Sequence, residues 1–129
     1  MSVWLAVALG GALGSAARHG VNRLVHQQWP TSTFPLGTVV VNLVGCLLIG
    51  VLAGLVATAR LPMRLHWREF VFVGVLGGFT TFSTLGLDTV TLLRAGAPGR
   101  ALGAVAVQVV FGVGGAYLGL RLAERFVSR

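Results

Sequence analysis

Four hydroxyl side chains, Thr80, Thr81, Ser83 and Thr84, follow a glycine pair in GGFTTFSTLG, residues 77–86 of a segment otherwise built of Val, Leu and Phe. Two adjacent glycines lower helix propensity, and Ser and Thr compete for the carbonyls of the helical ladder. The pattern predicts a broken helix. Carbonyls ending the first half would make a negative site for a small cation, and N–H groups opening the second half a positive one for an anion. The alternative is a kinked helix whose threonines satisfy their own backbone. Asn42, in TVVVNLVGC, and Gln108 are further amides inside apolar runs. Such an amide either donates two hydrogen bonds to an anion without bringing a charge, or ties helices together. A continuous polar line from Asn42 through the hydroxyl cluster to Gln108 would be an ion path; the same residues standing apart would be glue.

The remaining reactive groups form no set. His19, His26 and His66 have neither metal-ligand nor catalytic spacing, and an enzyme is not expected. Cys46 lies in an apolar run and reads as a small packing residue. Asp88 falls toward the end of its segment, where it would pair with an arginine or hold the helix after the break in register.

The elements that must position these residues follow from composition. Of 129 residues, 55% are hydrophobic and 10% charged, with no lysine, and the mean hydropathy is +0.86. That is an integral membrane protein. A formal charge of +7 arises from arginines between and after the apolar runs, a pattern suited to a membrane surface and not to nucleic acid. The N-terminus has no basic region, and its first apolar run continues into a glycine pattern, so no cleavable signal peptide is expected.

Uncharged runs predict an all-α chain, one domain of four transmembrane helices over residues 3–24, 36–59, 69–93 and 101–122. The third would be interrupted near mid-membrane. Each span holds glycines four apart, Gly10 and Gly14, Gly50 and Gly54, Gly74 and Gly78, Gly115 and Gly119, a spacing that lets helix backbones approach closely in lipid. So small a bundle leaves little interior, which puts any conduction path between subunits. Arg60, Arg64, Arg68, Arg121, Arg125 and Arg129 fall on one side, against Arg23, Arg94, Arg100 and, if counted, Arg18 on the other. The bias favours both termini inside, yet it is weak enough to permit insertion in both orientations.

Taken together, GGALGSAARHG, GTVVVNLVGC and GVLGGFTTFST followed by Asp88 and Thr89 resemble the Fluc (CrcB) family of bacterial fluoride channels over essentially the whole chain. The resemblance implies an antiparallel, dual-topology dimer with two pores, in the bacterial inner membrane, passing fluoride passively out of the cell. It also implies a structural, untransported Na+ at the dimer centre, held by backbone carbonyls of Gly77 and Thr80. By the same resemblance Asn42 and Phe82 line the fluoride route, Thr81 and Ser83 lie beside it, and Arg18 stands at the aqueous vestibule. A phenylalanine ring edge is electropositive, so Phe82 offers weak, numerous contacts to an anion that must still leave.

Two features depart from the family pattern. Leu85 stands where a second pore phenylalanine is usual, and the polar track of the fourth helix is thinned to Ala104, Gln108 and Gly112. The chain is therefore expected to form either a slower homodimer or a heterodimer with a paralogue that supplies the missing ring. A different class, a small proton-coupled exporter of cationic drugs, would need an intramembrane carboxylate, for which Asp88 is the only candidate. A non-transporting scaffold would leave the polar break without a use.

Overall fold

The computed structural model describes residues 2–126, so Arg129 of the arginine tally lies outside the described residues. Described residues form helices and their connections: α1 (Val3–Gln28), α2 (Leu36–Ala57), α3 (Leu65–Arg68), a π-helical stretch (Glu69–Leu76), α4 (Gly77–Phe79), α5 (Phe82–Arg94) and α6 (Pro98–Arg125). Three continuous or near-continuous segments are long and apolar enough to cross a membrane, Leu36–Ala57, Leu65–Arg94 and Pro98–Arg125. The chain is thus an all-helical membrane protein. α1 is long enough at 26 residues, but Arg18, His19, Asn22, Arg23 and His26 make its second half polar.

Local chemistry sets the helix ends. Ser2 caps α1 by accepting from the Leu5 N–H at 3.2 Å. Trp29 (φ −130°, ψ 65°) leaves the helical conformation ahead of Pro30 and closes the helix. α5 ends at Gly96, whose φ of 69° is the left-handed conformation that glycine adopts without strain. There the Gly96 N–H donates to Leu93 O at 3.1 Å and the Ala97 N–H to Leu92 O at 2.9 Å, the paired bonds of a Schellman stop. Pro98 then opens α6 at a position where its missing N–H costs nothing. The same stop follows α2, with Ala59 in place of glycine at φ 57°.

Glycines decide which helices touch. A Cβ on Gly74 would meet Gly10 Cα at 2.8 Å, and one on Gly78 would meet Gly11 O at 2.6 Å, so α1 and the first half of the third span pack backbone against backbone. A Cβ on Gly54 would meet Ala123 at 2.6 Å, and one on Gly119 would meet Val51 N at 2.8 Å, which places α2 against α6 in the same manner. Three of the four glycine pairs therefore sit at contacts, while Gly115 of the fourth has looser neighbours at 3.9 Å and beyond.

The third span changes partner along its length. Its first half, the π-helical stretch and α4, packs on α1, whereas α5 packs on α6. Leu92, Ala101 and Ala104 form the buried cluster of that second contact, with Phe34 and Ala97 against it. π-winding over eight residues is far longer than the single-turn bulge in which that geometry usually occurs. Among the large apolar side chains of the described residues, only Val41 is fully buried. The apolar surface lies outside, as lipid or a second subunit requires.

Candidate ion site at the break in the third span

The helix stops at Phe79 and restarts at Phe82, with Thr80 (φ −86°, ψ 158°) and Thr81 (φ −154°, ψ 115°) both extended. This is an interruption and not a kink. The carbonyls of Gly77, Gly78, Phe79 and Thr80 lose the donors a continuous helix would deliver. The Thr81 N–H, which would serve Gly77, donates to Asn42 Oδ1 at 2.8 Å. The Thr84 N–H, which would serve Thr80, donates to Thr81 Oγ1 at 3.2 Å. Gly77 O and Thr80 O are thus two of four carbonyls that keep lone pairs the ladder would have used, the chemistry of an uncharged ligand to a hard monovalent cation.

On the other side of the break, Thr81 is the N-cap of α5. Its buried hydroxyl is the hub of the polar cluster, 3.1 Å from Ser83 Oγ and donating to Thr84 Oγ1 at 3.0 Å. Of the N–H groups that open α5, those of Thr81 and Thr84 are occupied, which leaves Phe82 and Ser83 to present theirs outward. Thr80 behaves differently. Its N–H and Oγ1 both donate to Leu76 O at 3.0 Å, finishing the first half of the span, and its methyl fills the space left by Gly45.

Asn42 is the brace between halves and helices. Its Nδ2 donates to Thr81 O at 3.1 Å and to Gln108 Oε1 at 2.6 Å. Gln108, only 7% exposed, donates from Nε2 to Ala104 O at 3.1 Å. Asn42, Thr81 and Gln108 are therefore one network, with both Asn42 amide protons satisfied inside the chain. Phe82 stands next to it, 83% exposed. An open groove of about 340 Å³ runs along this network, lined by Asn42, Gly45 and Ile49 of α2, by Gly77, Thr80 and Leu85 of the third span, and by Gln108. Leu85 is buried at 7% exposure, facing inward, so it presents no substitute for a second exposed ring.

Asp88, for which the sequence left an arginine pair or a positioning role open, is held by a hydroxyl: its Oδ2 accepts from Thr38 Oγ1 at 2.7 Å. The partner is a buried hydroxyl on α2, so this bond ties α5 to α2. Arg18, half-buried on α1, is not among the residues lining the groove. Thr38 was not distinguishable from its apolar neighbours by type alone, but it stands four residues before Asn42 and so on the same helical face, which is the signal that would have found it. A second cavity of about 220 Å³ includes Asn22, His26, Thr38 and Asp88. In it Asn22 Oδ1 is buried without a hydrogen-bond partner.

Fold and site together define a small integral membrane protein whose candidate ion site is made of interrupted helix and uncharged polar side chains. Comparison with known proteins gives the particular family. Residues 5–120 match the family described as CrcB-like protein, Camphor Resistance (CrcB), and the chain belongs to it. It is 50% identical to a protein of Paracoccus denitrificans (strain Pd 1222) named fluoride-specific ion channel FluC, over 94% of both chains. It is 48% identical to a FluC of Opitutus terrae (strain DSM 11246 / JCM 15787 / PB90-1), covering 92% of this chain and 90% of that one. A protein named fluoride-specific ion channel FluC 2, from Symbiobacterium thermophilum (strain DSM 24528 / JCM 14929 / IAM 14863 / T), is 46% identical over 93% of this chain and 96% of its own.

Proposed function

We propose that the chain is a subunit of a fluoride-specific channel in the bacterial inner membrane, through which cytoplasmic fluoride leaves passively. Fluoride enters cells as a neutral weak acid and is trapped once ionised, so a passive route suffices to lower its concentration. The observation that carries this reading is the interruption at Thr80 and Thr81 within an apolar span. Non-helical backbone at membrane depth is tolerated only where protein or water covers it. The names of the relatives supply the anion.

In this reading all four long segments cross the bilayer, the polar half of α1 reaching toward an aqueous mouth that contains Arg18. A second copy, inserted antiparallel, covers the groove and the exposed face of Phe82. Each fluoride then passes Phe82, whose ring edge replaces some lost hydration, with Thr81 and Ser83 alongside and Asn42 at the network's centre. The carbonyls of Gly77 and Thr80 from the two copies would hold a structural Na+, which supplies charge to bind the two interruptions together at the dimer centre.

The direct test is purified protein in fluoride-loaded liposomes, followed with a fluoride electrode against chloride-loaded controls. Fluoride efflux well above that of protein-free vesicles, with chloride retained, is expected; equal passage of both anions would overturn the reading. The inward-facing, buried Leu85 favours a second version in which a paralogue supplies the missing phenylalanine. Co-reconstitution with that paralogue would then raise efflux above the sum of the two proteins alone.

A further inference from the structure

We infer that Gln108 is a latch on Asn42, setting how readily the channel accepts its anion by competing for an amide proton that the anion needs. The inference rests on the channel reading above and concerns a residue at which this chain departs from its family's polar track. Neither amide can turn over. Asn42 Oδ1 faces the Thr81 N–H at 2.8 Å, and a backbone N–H is only a donor, so Nδ2 must point the other way. Gln108 Nε2 faces Ala104 O at 3.1 Å, and a carbonyl is only an acceptor, so Oε1 must face Asn42. The consequence is the 2.6 Å bond from Asn42 Nδ2 to Gln108 Oε1, the shortest contact of the network. With the other Nδ2 proton on Thr81 O at 3.1 Å, Asn42 has none left for an ion in the groove.

Of the two bonds, the one to Gln108 is the one that can yield. Thr81 O is backbone, pinned between the interruption and the α5 cap, and releasing it would undo the break itself. Gln108 is a side chain with rotatable bonds, and it borders the open groove. Rotation of its side chain frees one Asn42 proton for the anion. Occupancy by the anion and the closed latch are mutually exclusive, so the latch lowers apparent affinity by the worth of one hydrogen bond.

The test is the fluoride dependence of initial efflux from liposomes containing the full chain. Gln108→Ala should lower the half-saturating fluoride concentration about fivefold, the factor expected for losing one competing hydrogen bond. In an Asn42→Ala background the same substitution should leave half-saturation where it is, because a latch acts only through Asn42, whereas a packing role would add independently. Gln108→Leu, close in size and without an acceptor, should reproduce the shift and answers the question if the alanine variant does not fold. Unchanged half-saturation in both variants, or an equal shift with and without Asn42, overturns the latch while leaving the channel intact. Wild type and variants all passing no more fluoride than bare vesicles overturns both.

Discussion

Thr38 and Asp88 show how much one hydroxyl can matter where a carboxylate lies half-buried. Their 2.7 Å bond joins α2 to α5 across the bundle and gives the acid a partner within the described residues. Thr38→Val keeps the shape and removes the donor, so it should destabilise the protein by about 1–3 kcal/mol, read as a lower midpoint of thermal unfolding in detergent. Asp88→Asn retains an acceptor oxygen and discards the charge, and it should cost less than half as much. A larger loss for Asp88→Asn than for Thr38→Val would show that the charge itself is needed. The hydroxyl cluster was legible as a feature, since four such residues after two glycines have no use in plain lipid-facing helix. How its members divide was not: Thr80 ends one half, Thr81 caps the next, and Asn42 takes over a backbone N–H from 39 residues away. Hydrogen bonds across that separation depend on which helices neighbour each other, and residue type is silent on that.

At the scale of elements, the closest helix contacts are made where glycine leaves room. Gly78→Ala would place a methyl 2.6 Å from Gly11 O, against backbone that cannot step aside. It should lower stability by about 1–3 kcal/mol. Gly114→Ala, with no atom within 4 Å, should be neutral or slightly stabilising, and a matched pair of thermal melts separates the two. Ala59 offers the opposite experiment. A Cβ in the left-handed conformation that ends α2 is strained, and Ala59→Gly should raise stability by about 0.5–1 kcal/mol, which chemical denaturation in detergent would measure. The spacing of glycine pairs was visible in the chain, but their pairing was not. Gly10 faces Gly74 while Gly50 and Gly54 face α6, a choice made by the shapes of whole helices. Nor did any residue pattern signal the π-winding of Glu69–Leu76, because periodicity in a run that is apolar on every side carries no phase.

At the scale of the whole molecule, topology is the open consequence of the charge distribution. Arg60, Arg64, Arg68, Arg121 and Arg125 gather at the end opposite Arg23, Arg94 and Arg100, a bias small enough for both orientations to insert. A cysteine placed at the exposed Ala95, in a Cys46→Ala background, should react with an impermeant reagent to about half its total in right-side-out and in inverted vesicles alike. Labelling confined to one vesicle type would instead require a partner of opposite orientation for an antiparallel assembly. By itself the sequence determined that the chain is helical, that it lives in a membrane, and where its third span is weakest as a helix. These are local or compositional consequences, set by hydropathy, glycine content and side chains that bond their own backbone. Only the tertiary structure decided that the third span switches from α1 to α6 at its break. It alone decided that Asp88 answers to Thr38, and that Asn42 and Gln108 occupy each other. Such pairings arise from the approach of surfaces distant along the chain, and they acquire definite energies only once packing has fixed the distances between them.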